Sequence, residues 1–276
     1  LWWAVRRRLR GGTVKLKNRI VLVTGGAHRV GRAICLALAA EGADIVLHYG
    51  SNAEAAARTA DEIRAMGRRV AVLQADLSTW PAARDLGARA IDAFGRIDAL
   101  VNNASSFVRG RFAASTEADF DLAFDVNVKA PYALCQVIGA AMAARPSGDP
   151  GAIINIVDDG AFAPSPALAA HGLSKAALLA LTRLLAVELA PAVRTNAICP
   201  GPILKPERMS EARWQAMREA NPMRGLGSPE DLAACVVFLA AGPAFINGEC
   251  LMLEGGREWT RGGTADRRRP TADGSS

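Results

Sequence analysis

The chain has 276 residues, 50% of them hydrophobic and 22% charged, enough for one large core or two small ones and too apolar for global disorder. Its formal net charge of +6 belongs to the ends: residues 1–19 hold seven Lys/Arg and no acid, residues 257–276 hold five Arg and three acids, and 20–256 is left at −3. A nucleic-acid-binding domain carries its basicity on a folded face, so no nucleic-acid partner is expected. No apolar run reaches the roughly 18 residues of a membrane helix, the longest, Leu232 to Ile246, being broken by Gly242-Pro243. A soluble chain without a membrane partner is the expectation.

Five cysteines are dispersed without a C-x-x-C pair or a nearby His cluster, which points to reduced thiols in the cytoplasm and no metal site. The start, LWWAVRRRLR, is apolar first and basic second, the reverse of a signal peptide. Residues 1–16 read as a disordered extension, 259–276 as a disordered tail, and 17–258 as the folded part.

Within 17–258, short β-branched runs alternate with Ala-rich amphipathic stretches. The strands are predicted at Ile20–Thr24, Asp44–His48, Arg69–Gln74, Ala99–Asn102, Ala152–Val157, Thr195–Cys199 and Cys250–Leu253. Most are continuous apolar runs, as expected of strands covered on both faces. Helices are predicted at Arg32–Glu41, Ala53–Met66, Ala82–Phe94, Phe120–Ala144, Ser174–Leu189 and Pro229–Ala240. Seven strands alternating with helices indicate an α/β fold: one domain with a doubly wound, seven-stranded parallel sheet of the Rossmann type.

Ligands of such sheets sit beyond the carboxyl ends of the strands, so the residues that follow each strand carry the functional reading. After the first strand, Thr24-Gly25-Gly26-Ala27-His28-Arg29-Val30-Gly31 opens a helix; glycines there let backbone N–H groups approach a diphosphate at a helix N-terminus. The second strand ends in Leu47-His48-Tyr49-Gly50-Ser51 without the acid that holds a ribose 2′-hydroxyl. Arg29, His48 and Ser51 instead offer a cation and neutral donors, which suits a 2′-phosphate. NADPH is therefore favoured over NADH. Later strand ends carry Asp76-Leu77, Asn102 to Phe107, and Asp158-Asp159. His171 and Lys175 share a face of the following helix at i, i+4. The plain alternative for these groups is structural: Asx turns, a packed histidine, a solvated lysine.

Taken together, Thr24-Gly25…Gly31, Asp76-Leu77, Asn102-Asn103-Ala104, Asn127, Lys175 and Pro200-Gly201 resemble the short-chain dehydrogenase/reductase family over nearly the whole folded part. Arg29, Leu47-His48-Tyr49, Asn102 through Phe107 and Asn155 through Asp158 resemble its pteridine reductases most. The resemblance implies NADPH-dependent reduction of a pterin or similar heterocycle by a homotetramer assembled through its two long helices. It implies a nucleotide site in which Gly25, Val30, Gly31 and Ala104 line the turn and Arg29, His48, Tyr49 and Ser51 gather at the 2′-phosphate end. Asp76 and Leu77 would flank adenine, Asn102 would line the ribose, and Pro200 and Gly201 would also belong to the cofactor site. Lys175 would hold the nicotinamide ribose. Phe107 would stack the pterin, Ser105 would meet its polar edge, and Leu204, in a mobile loop over Ile203 to Pro222, would add an apolar contact.

One departure bears on catalysis. The family's catalytic tyrosine, four residues before Lys175, is His171 here. A cationic Lys175 disfavours imidazolium and a carboxylate such as Asp158 favours it. The catalytic set is thus expected to be Asp158, His171, Lys175 and Asn127, with His171 and Asp158 also touching substrate. Three readings follow: a pterin-type reductase using His171 with Asp158 as proton source, a carbonyl reductase of another small substrate such as a 3-oxoacyl thioester or aldehyde, and an NADPH-binding protein with little turnover.

Overall fold

The computed structural model describes residues 16–145 and 150–257. The expected N-terminal extension and C-terminal tail lie outside the described residues, except at Leu16. That residue, expected to belong to the extension, is buried in the core and donates its backbone N–H to Glu41 O.

Seven strands form one parallel sheet in the order β3-β2-β1-β4-β5-β6-β7. They are β1 (Ile20–Val23), β2 (Asp44–Tyr49), β3 (Val70–Gln74), β4 (Ala99–Asn102), β5 (Gly151–Ile156), β6 (Val193–Pro200) and β7 (Cys250–Leu253). The helices are α1 (Arg29–Ala40), α2 (Ala53–Ala65), α3 (Trp80–Phe94), α4 (Glu117–Phe124), α5 (Ala130–Leu134), α6 (Ala140–Ala143), α7 (Ala169–Glu188), α8 (Glu211–Ala220) and α9 (Pro229–Ala241). Every predicted strand is present: β4 and β7 have the predicted ends, and the ends of the others differ by at most two residues. The predicted helix over Phe120–Ala144 is α4, α5 and α6 joined by π-helical turns at Asp125–Lys129 and Cys135–Gly139.

The sheet is apolar on both sides because alternate residues of each strand feed opposite faces. Val21 and Val23 of β1 join Ile45 and Leu47 under Ile34, Leu38 and Val236 of α1 and α9. Ile20 and Leu22 join Leu100 and Ile153 under Leu86, Leu134 and Ile138 on the other face. The amino ends of the strands are tied by buried acids. Asp44 accepts from Arg68 and Arg69, and Asp98 from Ile20 N and Arg145. Asp44 therefore belongs to the end of the sheet opposite the glycine turn.

Helix α7 is long and apolar enough, by length and composition, to cross a membrane, which the expectation of no such segment had not anticipated. More than half of it is buried inside the fold. Its buried side includes His171, Ser174 and Lys175, and the helix packs beside β5 and β6. The order of the sheet reverses at β1, flanked by β2 on one side and β4 on the other. Beyond the carboxyl ends of β1, β4 and β5 lies the crevice where such sheets hold ligands.

Candidate active site

The glycine turn after β1 is braced from three directions. Gly25 N–H donates to His48 Nδ1 (3.1 Å) and Gly26 N–H to His48 O (2.8 Å). Asn103 Nδ2 donates to Thr24 O (2.8 Å) and Gly25 O (3.2 Å). Thr59 Oγ1 donates to Ala27 O (2.8 Å). Gly25 has φ of 65°, and a Cβ on Gly31 would fall 1.9 Å from Gly25 O, so glycine is required at both. Helix α1 then starts without a side-chain cap and without an acid in its first turn, leaving first-turn N–H groups free for an anion. Arg29 is exposed at the head of this helix in the left-handed region, φ 52°.

Two nucleotide-site expectations are corrected here. His48 is buried; with Nδ1 accepting from Gly25, Nε2–H donates to Ala75 O (3.1 Å). Burial, together with the charge of Arg89, outweighs the Ala75 hydrogen bond and favours the neutral ring. No ring N–H is left for a phosphate, and His48 is a strut between the turn and β3. Asn102 is also buried; its Nδ2 donates to Asn155 Oδ1 (2.8 Å), which lies next to it on β5. Its side chain is sheet structure and does not face a ribose.

Most of the remaining expected groups lie at or just after the carboxyl ends of their strands. Ser51 and Asp76 are exposed, Tyr49 is half-buried against the first core face, and Leu77 is buried. Asp76 accepts from Ser78 N–H (2.9 Å), and that bond holds its carboxyl below the ordinary range. Ala104 N–H donates to Thr24 Oγ1 (3.0 Å), fastening the loop after β4 to the glycine turn. Val30 packs against the first core face. Pro200 ends β6, and Gly201 N–H donates to Leu253 O (2.9 Å). Leu204 is half-buried in the segment before α8, and α8 occupies Glu211–Ala220 of the stretch expected to be a loop.

The chemistry gathers at the end of β5. Asp158 caps a short 3-10 turn, its Oδ1 accepting from Gly160 N–H (2.9 Å). Gly160 and Gly172 let this turn close on α7: a Cβ on Gly172 would sit 3.3 Å from Gly160 O. That approach brings Asp158 Oδ2 to 2.5 Å from His171 Nε2. On the other side of the ring, Nδ1 lies 3.0 Å from Ser106 O. A carbonyl oxygen only accepts, so Nδ1 carries a hydrogen, and Nε2 and the carboxylate can share 2.5 Å only with a proton between them. Burial pushes the Asp158 carboxyl up, but the hydrogen bond and charge of His171, the charge of Lys175 and the Gly160 N–H together hold it below the ordinary range.

Two more expectations change at this point. His171 is only 1% exposed, whereas the Asp158 side chain is 23% exposed; the member of the pair open to the crevice is Asp158. Asn127 is buried in the first π-helical turn with its amide fully used. It accepts from Ser106 N–H (2.9 Å) and Ser105 Oγ (3.0 Å) and donates to Ser106 O (3.0 Å) and Ser174 Oγ (2.9 Å). It is a positioning residue that holds the carbonyl against which His171 is set. Ser174 Oγ, in turn, donates to His171 O (2.7 Å). Phe107 is 54% exposed, with its ring centroid 4.6 Å from that of His171. Lys175, one helical turn on, donates to Ile156 O (2.9 Å), and burial pushes it down to about 8 against the attraction of Asp158.

Asn103, Ser106 and Ser174 were not singled out from sequence. Asn103 stood in a quoted motif whose role went to its neighbour. Ser106 acts through its backbone, which no side-chain type discloses.

Comparison with known proteins places this arrangement. The family model described as enoyl-(acyl carrier protein) reductase matches residues 25–258. An uncharacterized oxidoreductase of Mycobacterium tuberculosis is 36% identical over 248 residues, covering 88% of this chain and 93% of the relative. A (2S)-[(R)-hydroxy(phenyl)methyl]succinyl-CoA dehydrogenase subunit of Thauera aromatica is 34% identical over 246 residues, 88% of this chain and 97% of the relative. Among solved structures, FolM alternative dihydrofolate reductase 1 of Brucella canis, complexed with NADP, superposes with a TM-score of 0.83 at 32% identity, covering 92% of this chain and 99% of that one.

The depressed Lys175 gives a stability signature. Unfolded, a lysine keeps its proton to about pH 10.4, whereas in the fold Lys175 loses it near 8. Between these values the unfolded chain binds more protons, so stability should rise with pH by up to about 3 kcal/mol. Urea denaturation across that window should show the rise, and Lys175→Met should flatten it.

Proposed function

The chain belongs to the short-chain dehydrogenase/reductase family as an NAD(P)-dependent oxidoreductase, and from that premise we propose that it uses NADPH to reduce a pterin or similar heterocycle, with His171 and Asp158 as the proton source. The observation that carries this reading is an aromatic wall, Phe107, set 4.6 Å from an imidazole whose proton is shared with a carboxylate at 2.5 Å.

The residues present fit the nucleotide. The Gly25–Gly31 turn leaves room for a diphosphate at the uncapped start of α1. Arg29 and Ser51 are exposed where a 2′-phosphate would be met, and Asp76 and Leu77 stand at the adenine end. Lys175 has ammonium hydrogens beyond the one given to Ile156 O, which a nicotinamide ribose would take. When bound, the nucleotide supplies the hydride.

The chain supplies orientation and the proton. Phe107 holds a flat ring in register. The proton shared by Asp158 Oδ2 and His171 Nε2 would go to the ring nitrogen next to the reduced carbon, leaving a carboxylate and a neutral imidazole. The Nδ1–H bond to Ser106 O keeps the imidazole aimed throughout. A ketone would need a rigid acid directly on its oxygen, and an imidazole that is 1% exposed does not offer one; a C=N acceptor served through Asp158 suits the geometry better. For assembly, we place the homotetramer contacts on α5 and α7. Leu184 and Val187 of α7 are exposed, and a groove of about 380 Å³ lies between Tyr132, Gln136 and Leu185.

Two measurements test the reading. With a dihydropterin as substrate, the wild type should oxidise NADPH. Asp158→Asn should cut kcat by about 100-fold, within the range for a lost general acid, with NADPH affinity kept, and His171→Tyr should lower activity rather than restore it. No oxidation of NADPH by the wild type, or a gain from His171→Tyr, would contradict the assignment.

Arg29→Gly should relieve the left-handed strain, leave Tm unchanged or higher, and raise the NADPH KM by about 10-fold while leaving that for NADH within about two-fold. Steady-state kinetics with both nucleotides decides this.

A further inference from the structure

The loop after β4 carries a group that the proton transfer does not use. Arg109 lies over the ring of Phe107, its guanidinium carbon 5.1 Å from the ring centroid. Since Phe107 lies 4.6 Å from the His171 ring, the stack keeps this cation within about 10 Å of the imidazole.

Arg109 is exposed, and no carboxylate among the described residues pairs with it. Four other surface arginines, Arg32, Arg58, Arg64 and Arg89, each hold an acid of their own surface.

The position of Arg109 is fixed by its neighbour. Gly110 forms a backbone bridge outside the main sheet: its N–H donates to Ala167 O (3.0 Å), and its carbonyl accepts from Ala169 N–H (3.1 Å). Ala169 is the first residue of α7, two before His171. The arginine is thus tied, one residue away, to the helix that carries the buried imidazole.

A guanidinium that rests one face on an aromatic wall still presents its edge, a planar fork of N–H donors matched to a carboxylate. A heterocycle lying against Phe107 would bring whatever it carries at its rim to that fork. Resting on the pterin reading above, we propose that Arg109 is a specificity-determining residue that binds a carboxylate on the substrate's tail. The preferred substrates are then carboxylated pterins of the folate class, and pterins with neutral side chains are poorer ones. Lysine would supply the charge without the fork or the stack.

The test compares dihydrofolate with dihydrobiopterin, using NADPH, in the wild type and in Arg109→Gln and Arg109→Lys. The wild type should show a KM for dihydrofolate about 10-fold lower, a preference that shrinks as salt is added. Arg109→Gln should abolish that preference by raising the dihydrofolate KM alone, with kcat and the dihydrobiopterin KM within about two-fold, and Arg109→Lys should recover part of it. An unchanged ratio in Arg109→Gln, or an equal loss on both substrates, would overturn the proposal while the pterin reading stood. If the wild type neither turns over nor binds either pterin in the presence of NADP, the pterin reading fails and this proposal fails with it.

Discussion

A histidine ring wedged between a backbone carbonyl and a carboxylate has little freedom in its protonation. Ser106 O cannot donate, so Nδ1 must, and the 2.5 Å contact between Nε2 and Asp158 then holds one further proton. Much of the surrounding structure maintains that arrangement. Asn127 and Ser174 fix the carbonyl and the helix backbone on one side. Gly160 and Gly172 allow the approach of the carboxylate on the other. Lys175 lies one turn further along, buried and therefore easily discharged. Loosening any of these would leave a buried imidazole facing an acceptor without the proton that makes the contact favourable.

On the proposed reading, in which His171 stands where the resemblance puts the family's tyrosine, this arrangement changes where the acid sits. A phenol in this position would be an acid aimed into the crevice. The imidazole instead lies behind Asp158, as a store of charge whose outlet is the carboxylate. On the proposed reading, the same scaffold delivers a proton at a different atom, which suits a ring nitrogen better than a carbonyl oxygen. The π-helical turn at Asp125–Lys129 belongs to this region: it sets Asn127 inward, where its amide serves the loop that carries Ser105, Ser106 and Phe107.

Much of the fold was legible in the sequence because continuous apolar runs such as IVLV and ALVN have one comfortable home, a parallel strand covered on both faces. The glycine turn was legible for a similar reason, since only glycine tolerates the approach of Gly31 to Gly25 O. His48 and His171 show where legibility stopped. Both looked like side chains facing a ligand, and in both a ring nitrogen is committed to a backbone carbonyl. Backbone partners depend on tertiary approach and leave no mark on residue type. Asn102 and Asn127 were misjudged in the same way: a buried amide and a ligand-facing amide are spelled alike. The pairing of Asp158 with His171 was expected from charge, but which of the two is exposed to the crevice followed only from the structure.

The most direct test of the shared proton is nitrogen NMR of histidine-labelled protein. The chain has three histidines, so the His171 signals can be assigned by comparison with the His28→Gln and His171→Tyr variants. The account predicts that Nδ1 of His171 is protonated across the neutral range, with a strongly deshielded proton on the side facing Asp158 that disappears in Asp158→Asn. A neutral ring with Nδ1 bare and the single proton on Nε2 would contradict it, and with it the proposed source of the proton in turnover.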